Sequence, residues 1–313
     1  MRVLSPSPVP REHPLPHPPI TLIAGPTASG KSRLALERAR ATGAAIVNAD
    51  SQQLYADLRV LTARPSRDEE RAVPHHLYGT VDAAEAWSVG RWTRAVRPLI
   101  DELGSQGHPV LIVGGTGLYF TALTRGLADI PEVPTAARDE AMALYDTEGE
   151  ARFRLRLATF DPPAEAAIEA GDRQRLTRAF AVARSTGRSL SDWQAGTTPL
   201  LKPGSYDRLV LEPERETLYA GCDARVLSMM QDGAVEEVRA LIARDLDPTL
   251  PAMKAVGVRE LAAWLAGETT RADAVAALQQ ATRNYAKRQL TWFRNQCRDW
   301  ARGQGRHADR RWG

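Results

Sequence analysis

Residues Gly25 to Ser32 read GPTASGKS and follow directly on the apolar run ITLIA at 20–24. The pattern G-x-x-x-x-G-K-[ST] describes a loop whose backbone amides wrap a phosphate, and it constrains the fold more than any other feature. Such a loop works between a buried strand and a helix start, where N–H groups and the positive helix end converge on one anion. Both neighbours are present. Ile20, Leu22, Ile23 and Ala24 suit a parallel strand buried on both faces. Residues 31–40, KSRLALERAR, set Leu34, Ala35 and Leu36 among charges, as an amphipathic helix does. An ordinary glycine turn before a helix is the competing reading, and the flanking elements weigh against it. The expected phosphate-binding set is Gly25, Pro26, Thr27, Ala28, Ser29, Gly30, Lys31 and Ser32. Lys31 adds a point charge, and the Ser32 hydroxyl can ligate Mg²⁺.

Further strand-like runs occur at 44–49, 109–113 and 207–212, with helical stretches between them. This alternation predicts an α/β fold, a P-loop NTPase-like parallel sheet flanked by helices. Ligands of such sheets bind beyond the carboxyl ends of the strands. Asp50, just after the second strand, and GGTGLY (114–119), just after the third, therefore share a rim with the phosphate loop. From about 126 to 198 no strong strand is found, and this stretch reads as a helical insertion domain. The core is then 20–125 together with 199–313, and 215–300 returns to helix in about four pieces. Residues 1–19 carry seven prolines and no apolar signal-peptide core, so a disordered leader is expected.

With 313 residues, 43% hydrophobic and 25% charged, the chain has a soluble globular composition large enough for such a core and a smaller unit. No run approaches the roughly 18 apolar residues of a membrane span. Cys222 and Cys297 stand alone, without C-x-x-C pairing, which indicates neither a zinc site nor a disulfide framework and fits a reducing cytoplasm.

Three residues on or near the rim carry candidate chemistry. Asp50 opens DSQQLY (50–55), where it is either a helix N-cap or a general base for a nucleophile opposite the phosphate loop. Thr116 either caps a turn or fixes an acceptor group beside Asp50. Arg225, on the helix after the fourth strand, is either a surface arginine or a neutraliser of leaving-group charge. His75 and His76 are adjacent, so one structural and one exposed histidine is expected rather than a metal pair. The third strand ends in glycines where P-loop ATPases usually carry a Mg²⁺-holding acid, which argues against motor-type ATP hydrolysis.

The last helix adds an electrostatic signal. Measured from Arg283 at about 100° per residue, Lys287 falls at about 40°, Arg294 at about 20° and Arg298 at about 60°. Tyr285, Gln289, Trp292 and Trp300 fall on the opposite side. A solvated face and a track for nucleic-acid phosphates both fit this stripe. RQRLTR (173–178) supplies a second basic cluster, and two clusters suit a bulky polyanion better than a small metabolite.

Taken in order, GPTASGKS, NADSQQLY, TARPS, PHHLYG, VGGTGLYF, DRQRLTRAF and AKRQLTWFRN make the chain resemble the bacterial tRNA dimethylallyltransferase (tRNA isopentenyltransferase) family from about residue 20 to about 300. The resemblance implies transfer of a dimethylallyl group from its diphosphate to N6 of the adenosine 3′ of the anticodon (position 37). It also implies Mg²⁺ without ATP turnover, the tRNA anticodon stem-loop as partner, a cytoplasmic location and a monomer. On this likeness Asp50 binds the adenine amine as base, Thr116 is its hydrogen-bonding partner, and Arg225 is a ligand of the diphosphate. The implied tRNA contacts are Asp50, Ser51, Gln52, Gln53, Thr116, Arg138, Gln174, Arg175, Leu176, Thr177, Arg178, Lys254, Ala255, Val256, Gly257, Val258 and Arg259. Four positions depart from the family pattern: Leu61 for a glycine, Arg64 for a lysine, Gly221 for an arginine and Val258 for a tyrosine. The rival readings are a P-loop nucleotide or small-molecule kinase, an isopentenyltransferase acting on free adenine nucleotides, and a non-enzymatic RNA-binding module.

Overall fold

The computed structural model describes residues 20–304; the leader expected over 1–19 lies outside the described residues. In chain order the elements are β1 (Ile20–Ala24), α1 (Lys31–Thr42), β2 (Ala45–Asn48), α2 (Arg67–Ala72), β3 (His75–His76), α3 (Val89–Ser105), β4 (Val110–Gly114) and α4 (Gly117–Thr124). They continue with α5 (Thr135–Phe160), α6 (Pro162–Ala167), α7 (Arg173–Thr186), α8 (Leu190–Ala195), β5 (Tyr206–Leu211), α9 (Arg215–Asp232), α10 (Ala234–Ile242), α11 (Val258–Leu265), α12 (Arg271–Gln296) and β6 (Ala301–Gly303). Short 3₁₀ turns cover Gln52–Leu54 and Ala252–Lys254.

The strands form one sheet in the order β3-β2-β4-β1-β5-β6, with every neighbouring pair parallel. The parallel sheet flanked by helices expected from the alternation is the observed architecture. Its central strands are buried along both faces, which is why they read as unbroken apolar runs. On one face Ile23, Ile46, Leu111, Val113, Leu209 and Leu211 pack with Leu34, Ala35 and Ala39 of α1. This packing fixes the axis of α1 and so the direction in which its N-terminus points. Chain order sets the rest of the rim: β1 lies between β4 and β5, and β4 lies between β1 and β2. The loops leaving β2, β4 and β1 are thereby brought side by side. Ala49 N–H donates to Val113 O at 2.8 Å, and Thr116 N–H to Ala49 O at 3.1 Å.

Two strands are additional to the expected set. β3 is two residues and β6 three, too short to show alternation, and each occupies an edge.

The described residues divide into two compact units, 20–87 with 96–117 and 202–304, and 88–95 with 118–201. The second is helical. Its core sets Phe153 and Leu157 of α5 against Leu176, Ala179 and Phe180 of α7, with the Phe153 and Phe180 rings 5.1 Å apart. α5 is broken at Gly149, whose φ of 76° no helix continues through. Asp161, fully buried, caps α6 at Ala164 N–H (3.1 Å) and accepts from Ser191 N–H (3.0 Å) and Oγ (2.5 Å) of α8. Among the described residues no helix is long and apolar enough to cross a membrane.

Candidate active site

The phosphate loop begins where β1 ends. At Gly25 a Cβ would lie 2.8 Å from Ser29 Oγ and 3.0 Å from the Leu211 carbonyl, so only glycine lets the chain turn there. Ala28 and Gly30 then take φ of 63° and 88°, folding the chain back so that α1 starts at Lys31. A left-handed alanine is strained by roughly 1 kcal/mol or more, and such strain gathers at functional sites. Ser29 Oγ is buried without a hydrogen-bond partner. Lys31 is 7% exposed, and its Nζ donates to the Pro26 carbonyl at 3.2 Å. Burial lowers its pKa to about 8, with Asp50 opposing and Arg225 reinforcing the shift. A buried hydroxyl and a buried, destabilised ammonium in one loop are groups that an anion would satisfy.

Asp50 follows β2 and is buried. Its backbone is gripped by Asn48, the last residue of β2: Asn48 Oδ1 accepts from Asp50 N–H at 2.8 Å, and Asn48 Nδ2 donates to Asp50 O at 3.0 Å. One carboxylate oxygen, Oδ1, accepts from Gln52 N–H at 3.0 Å in a local turn. Oδ2 accepts no hydrogen bond among the described residues. Asp50 is not the N-cap expected from sequence: that position of the 3₁₀ turn falls to Ser51, and Asp50 closes the turn through one carboxylate oxygen and leaves the other without a donor. Thr116 stands beside it: its hydroxyl oxygen accepts from Ser51 N–H at 2.9 Å and its proton is directed at Ser51 Oγ, 3.2 Å away.

The phosphate loop and Asp50 line a cavity of about 180 Å³ together with Arg225, and Thr116 is not part of its wall. The polar lining is Thr27 to Arg33, Asp50, Gln52, Gln53 and Arg225, and the apolar lining includes Leu61, Met229, Val256 and Leu278, with the Tyr285 ring as a further lining group. The lining thus offers groups for an anion and groups for a hydrocarbon. Arg225 Nη1 donates to Thr27 Oγ1 at 2.7 Å; burial holds its guanidinium below the ordinary value, with Cys222 and Asp50 opposing. Ser32 is exposed at the first turn of α1, on the cavity lining. Among the described residues no group of three or more His, Cys, Asp or Glu could hold a metal ion.

Three supporting residues were not read from sequence. Asn48, a polar residue ending an apolar strand, carried a signal in retrospect. Glu237 of α10 accepts the N–H groups of Arg59, Val60 and Leu61 at 2.8–3.0 Å and so holds the cavity-lining loop. Gln289 of α12 accepts from Thr27 N–H at 2.8 Å and donates to Gly115 O at 2.9 Å. For the last two no local pattern exists, because their partners are more than a hundred residues distant.

Of the remaining expected contacts, Lys254 and Arg259 are exposed, Ala255, Gly257 and Val258 are buried, and Val256 N–H donates to Gln52 Oε1 at 3.3 Å. Gln53 is buried, donating to the carbonyls of Thr62 and Ala63. In the helical unit Arg138, Gln174, Arg175 and Arg178 are exposed, whereas Leu176 and Thr177 face its interior. The departures are accommodated locally. Leu61 fills space against Gly257, where a Cβ would lie 2.7 Å from it, and Arg64 lies across Gly79 and donates to Tyr55 O at 3.0 Å. Val258 is core, and a Cβ on Gly221 would only touch Ala28 at 3.5 Å.

Two expectations are corrected. The basic stripe on the last helix is not a continuous free face: Arg283 is ion-paired with Asp223, and Arg294 with Glu212 at 2.6 Å. α12 ends at Gln296, so Arg298 lies beyond it, and wheel angles cannot show either fact. His75 and His76 are both half-buried, because pairing of β3 on β2 encloses them together. His75 Nδ1 lies 2.8 Å from Val73 O, and burial lowers the pKa of His76.

Comparison with known proteins places this geometry. A family model described as IPP transferase matches residues 53–296, and one described as isopentenyl transferase matches 18–77. A tRNA dimethylallyltransferase of Phenylobacterium zucineum is 60% identical over 91% of this chain and 92% of its own. One from Caulobacter sp. is 57% identical over 92% and 93%. Among solved structures, a tRNA isopentenylpyrophosphate transferase of Bacillus halodurans superposes with a TM-score of 0.65 at 30% identity, covering 91% of this chain and 89% of that one. A eukaryotic dimethylallyltransferase acting on tRNA gives a TM-score of 0.76 at 25% identity, over 88% of this chain and 69% of the other.

Proposed function

The chain belongs to the IPP transferase family, and from that premise we propose that it transfers a dimethylallyl group from dimethylallyl diphosphate to N6 of an adenosine in tRNA. The observation that carries the reading is one cavity lined by a phosphate loop, the buried Lys31, the half-buried Arg225, a carboxylate with one unpartnered oxygen, and apolar side chains. The acceptor is the adenosine 3′ of the anticodon, and the protein works as a cytoplasmic monomer.

The reaction forms a bond between adenine N6 and C1 of the donor, breaks the C1–O bond, moves one N6 proton to a base and releases diphosphate. An aromatic amine is a weak nucleophile, so it needs orientation and a proton acceptor. Asp50 Oδ2 accepts that proton, while Thr116 and Ser51 border the acceptor. Negative charge building on the departing diphosphate is met by the loop amides, Lys31 and Arg225. Mg²⁺ fits the donor set, since it needs few protein ligands when phosphates supply the rest; Ser32 would hold it, and it would neutralise leaving-group charge. The apolar wall of Leu61, Met229 and Leu278 receives the prenyl tail. The acceptor adenine must leave its stack to reach the cavity, which is least demanding in an unpaired loop.

Incubation with labelled dimethylallyl diphosphate and either tRNA or AMP, with labelled ATP as alternative donor, tests the reading. Label is expected in the tRNA adenosine alone. Transfer to AMP returns the free-nucleotide reading, and tRNA-independent ATP turnover returns the kinase reading.

A further inference from the structure

Gln289 belongs to α12 and is 6% exposed, yet its side chain is not part of an apolar core. Both ends of its amide are used. Oε1 accepts the Thr27 N–H at 2.8 Å, and Nε2 donates to the Gly115 carbonyl at 2.9 Å. Thr27 lies in the phosphate loop and Gly115 directly precedes Thr116, so one side chain ties the donor cradle to the loop beside the acceptor. The approach is close: a Cβ on Gly115 would lie 2.2 Å from Gln289 Nε2 and 3.1 Å from Asp50 Oδ2. Trp292, farther along the same helix, closes over Gly117, where a Cβ would lie 2.3 Å from the indole. An amide bonded at both ends to two different backbones has a single orientation and fixes the separation of those backbones.

We infer that Gln289 is a positioning residue for the transfer, a bridge that sets the distance between the diphosphate cradle and the Asp50–Thr116 acceptor side. The inference rests on the function proposed above. The Thr27 N–H, held by the bridge, anchors the loop rather than meeting the donor. Displacement at C1 needs the amine and the leaving oxygen in line, and a misplacement of about 1 Å can lower the rate about a hundredfold.

Two variants test the bridge. Gln289→Met keeps the length of the side chain and removes both hydrogen bonds. Gln289→Glu keeps the acceptor toward Thr27 but opposes the Gly115 carbonyl unless its carboxyl carries a proton, which restores the second bond. Asp50, from the β2 loop, approaches the same Gly115 as the amide, while Arg225 of α9 bonds the Thr27 side chain and Lys31, at the start of α1, bonds the adjoining Pro26 carbonyl. Single-turnover prenylation of tRNA is measured for wild type and both variants between about pH 5.5 and 8 at saturating donor. Gln289→Met is expected to lose about a hundredfold in rate with donor affinity within about threefold of wild type. Gln289→Glu is expected to lose as much at about pH 8 and to regain about tenfold, relative to wild type at the same pH, as its carboxyl protonates. A Met variant within about threefold of the wild-type rate, or a Glu-to-wild-type ratio flat with pH, overturns the inference. If wild type prenylates no tRNA, the functional reading falls by itself, and hydrogen exchange still decides the bridge. Gln289→Met should speed exchange of the Thr27 amide about tenfold, and unchanged exchange overturns the bridge whatever the activity.

Discussion

Replacing Asp50 by asparagine separates the turn contact made by one carboxylate oxygen from the proton acceptance proposed for the other. Asn can present its single oxygen to Gln52 N–H, as Oδ1 does at 3.0 Å, and the Asn48 grip on the backbone is untouched. Asn and Asp side chains both accept from the backbone N–H two residues on, so the unfolding midpoint should stay near wild type. What is lost is the oxygen at Oδ2 that can take a proton, and loss of a general base lowers a rate by about 10²–10⁴. A second effect follows from charge. Asp50 opposes the burial that lowers Lys31 to about 8, so its removal drives the ammonium pKa further down. At pH 8 the variant would then bind donor less well for a reason unrelated to proton transfer. The assay is therefore single-turnover prenyl transfer to tRNA at pH 7 with saturating donor, beside thermal unfolding. The expected result is a fall of at least about a hundredfold in rate with an unchanged melting curve. A variant with near-normal transfer, or one whose loss tracks a lowered melting temperature, refutes the argument and leaves Asp50 as a turn residue only.

Three further outcomes follow from the same geometry. Because burial lowers Lys31 to about 8 in the free protein and an anion favours its charged form, donor binding above about pH 8 takes up a proton. The dissociation constant should be flat below pH 8 and rise up to about tenfold per unit above it, and calorimetry in two buffers of different ionisation enthalpy reads the uptake directly. Gly117→Ala forces a Cβ to within 2.3 Å of Trp292, an overpacking that destabilises by about 1–3 kcal/mol; Gly104→Ala, in open space, should instead stabilise by about 0.5–1 kcal/mol in the same melt. Arg294 is already paired with Glu212, whereas Arg178 is exposed on α7. Arg178→Gln should flatten the salt dependence of tRNA binding by about 0.7–0.9 in log–log slope and Arg294→Gln should leave it unchanged, as filter binding across a salt series would read.

How much of this was legible in the sequence follows from how local each feature is. The phosphate loop builds its cradle from its own eight residues, and the strand and helix that orient it adjoin it in the chain. Asp50 and Thr116 were legible because each directly follows an apolar run, and a parallel sheet delivers all such positions to one rim. Partners distant in the chain left no such trace. Whether Arg283 and Arg294 point at solvent or at Asp223 and Glu212 is decided by the packing of α12 against α9 and by its approach to the residue that follows β5, and periodicity on one helix holds no record of that. Gln289 fell on the correct face of the helical wheel, but as one polar residue among aromatics it carried no signal for a bridge between two loops.

The glycines after β4 show how such long-range packing bears on the choice of chemistry. P-loop ATPases usually place a Mg²⁺-holding acid at the end of an apolar strand beside the phosphate loop. Sequence alone gives the absence of an acid here, which a nearby residue elsewhere in the chain could offset. The structure adds that no side chain fits. A Cβ on Gly114 would lie 2.0 Å from the Ala49 carbonyl, and one on Gly115 would lie 2.2 Å from Gln289 Nε2. The space in which an ATPase holds its acid is filled by the backbone that carries Asp50 and by the amide that ties Gly115 to the phosphate loop. The same packing that excludes the acid delivers a carboxylate from β2 and a hydroxyl from Thr116, one beside the other. On the function proposed above, a phosphate loop so surrounded would hold a diphosphate as a leaving group while Asp50 faces the acceptor, and the transfer of an alkyl group is the chemistry that uses both.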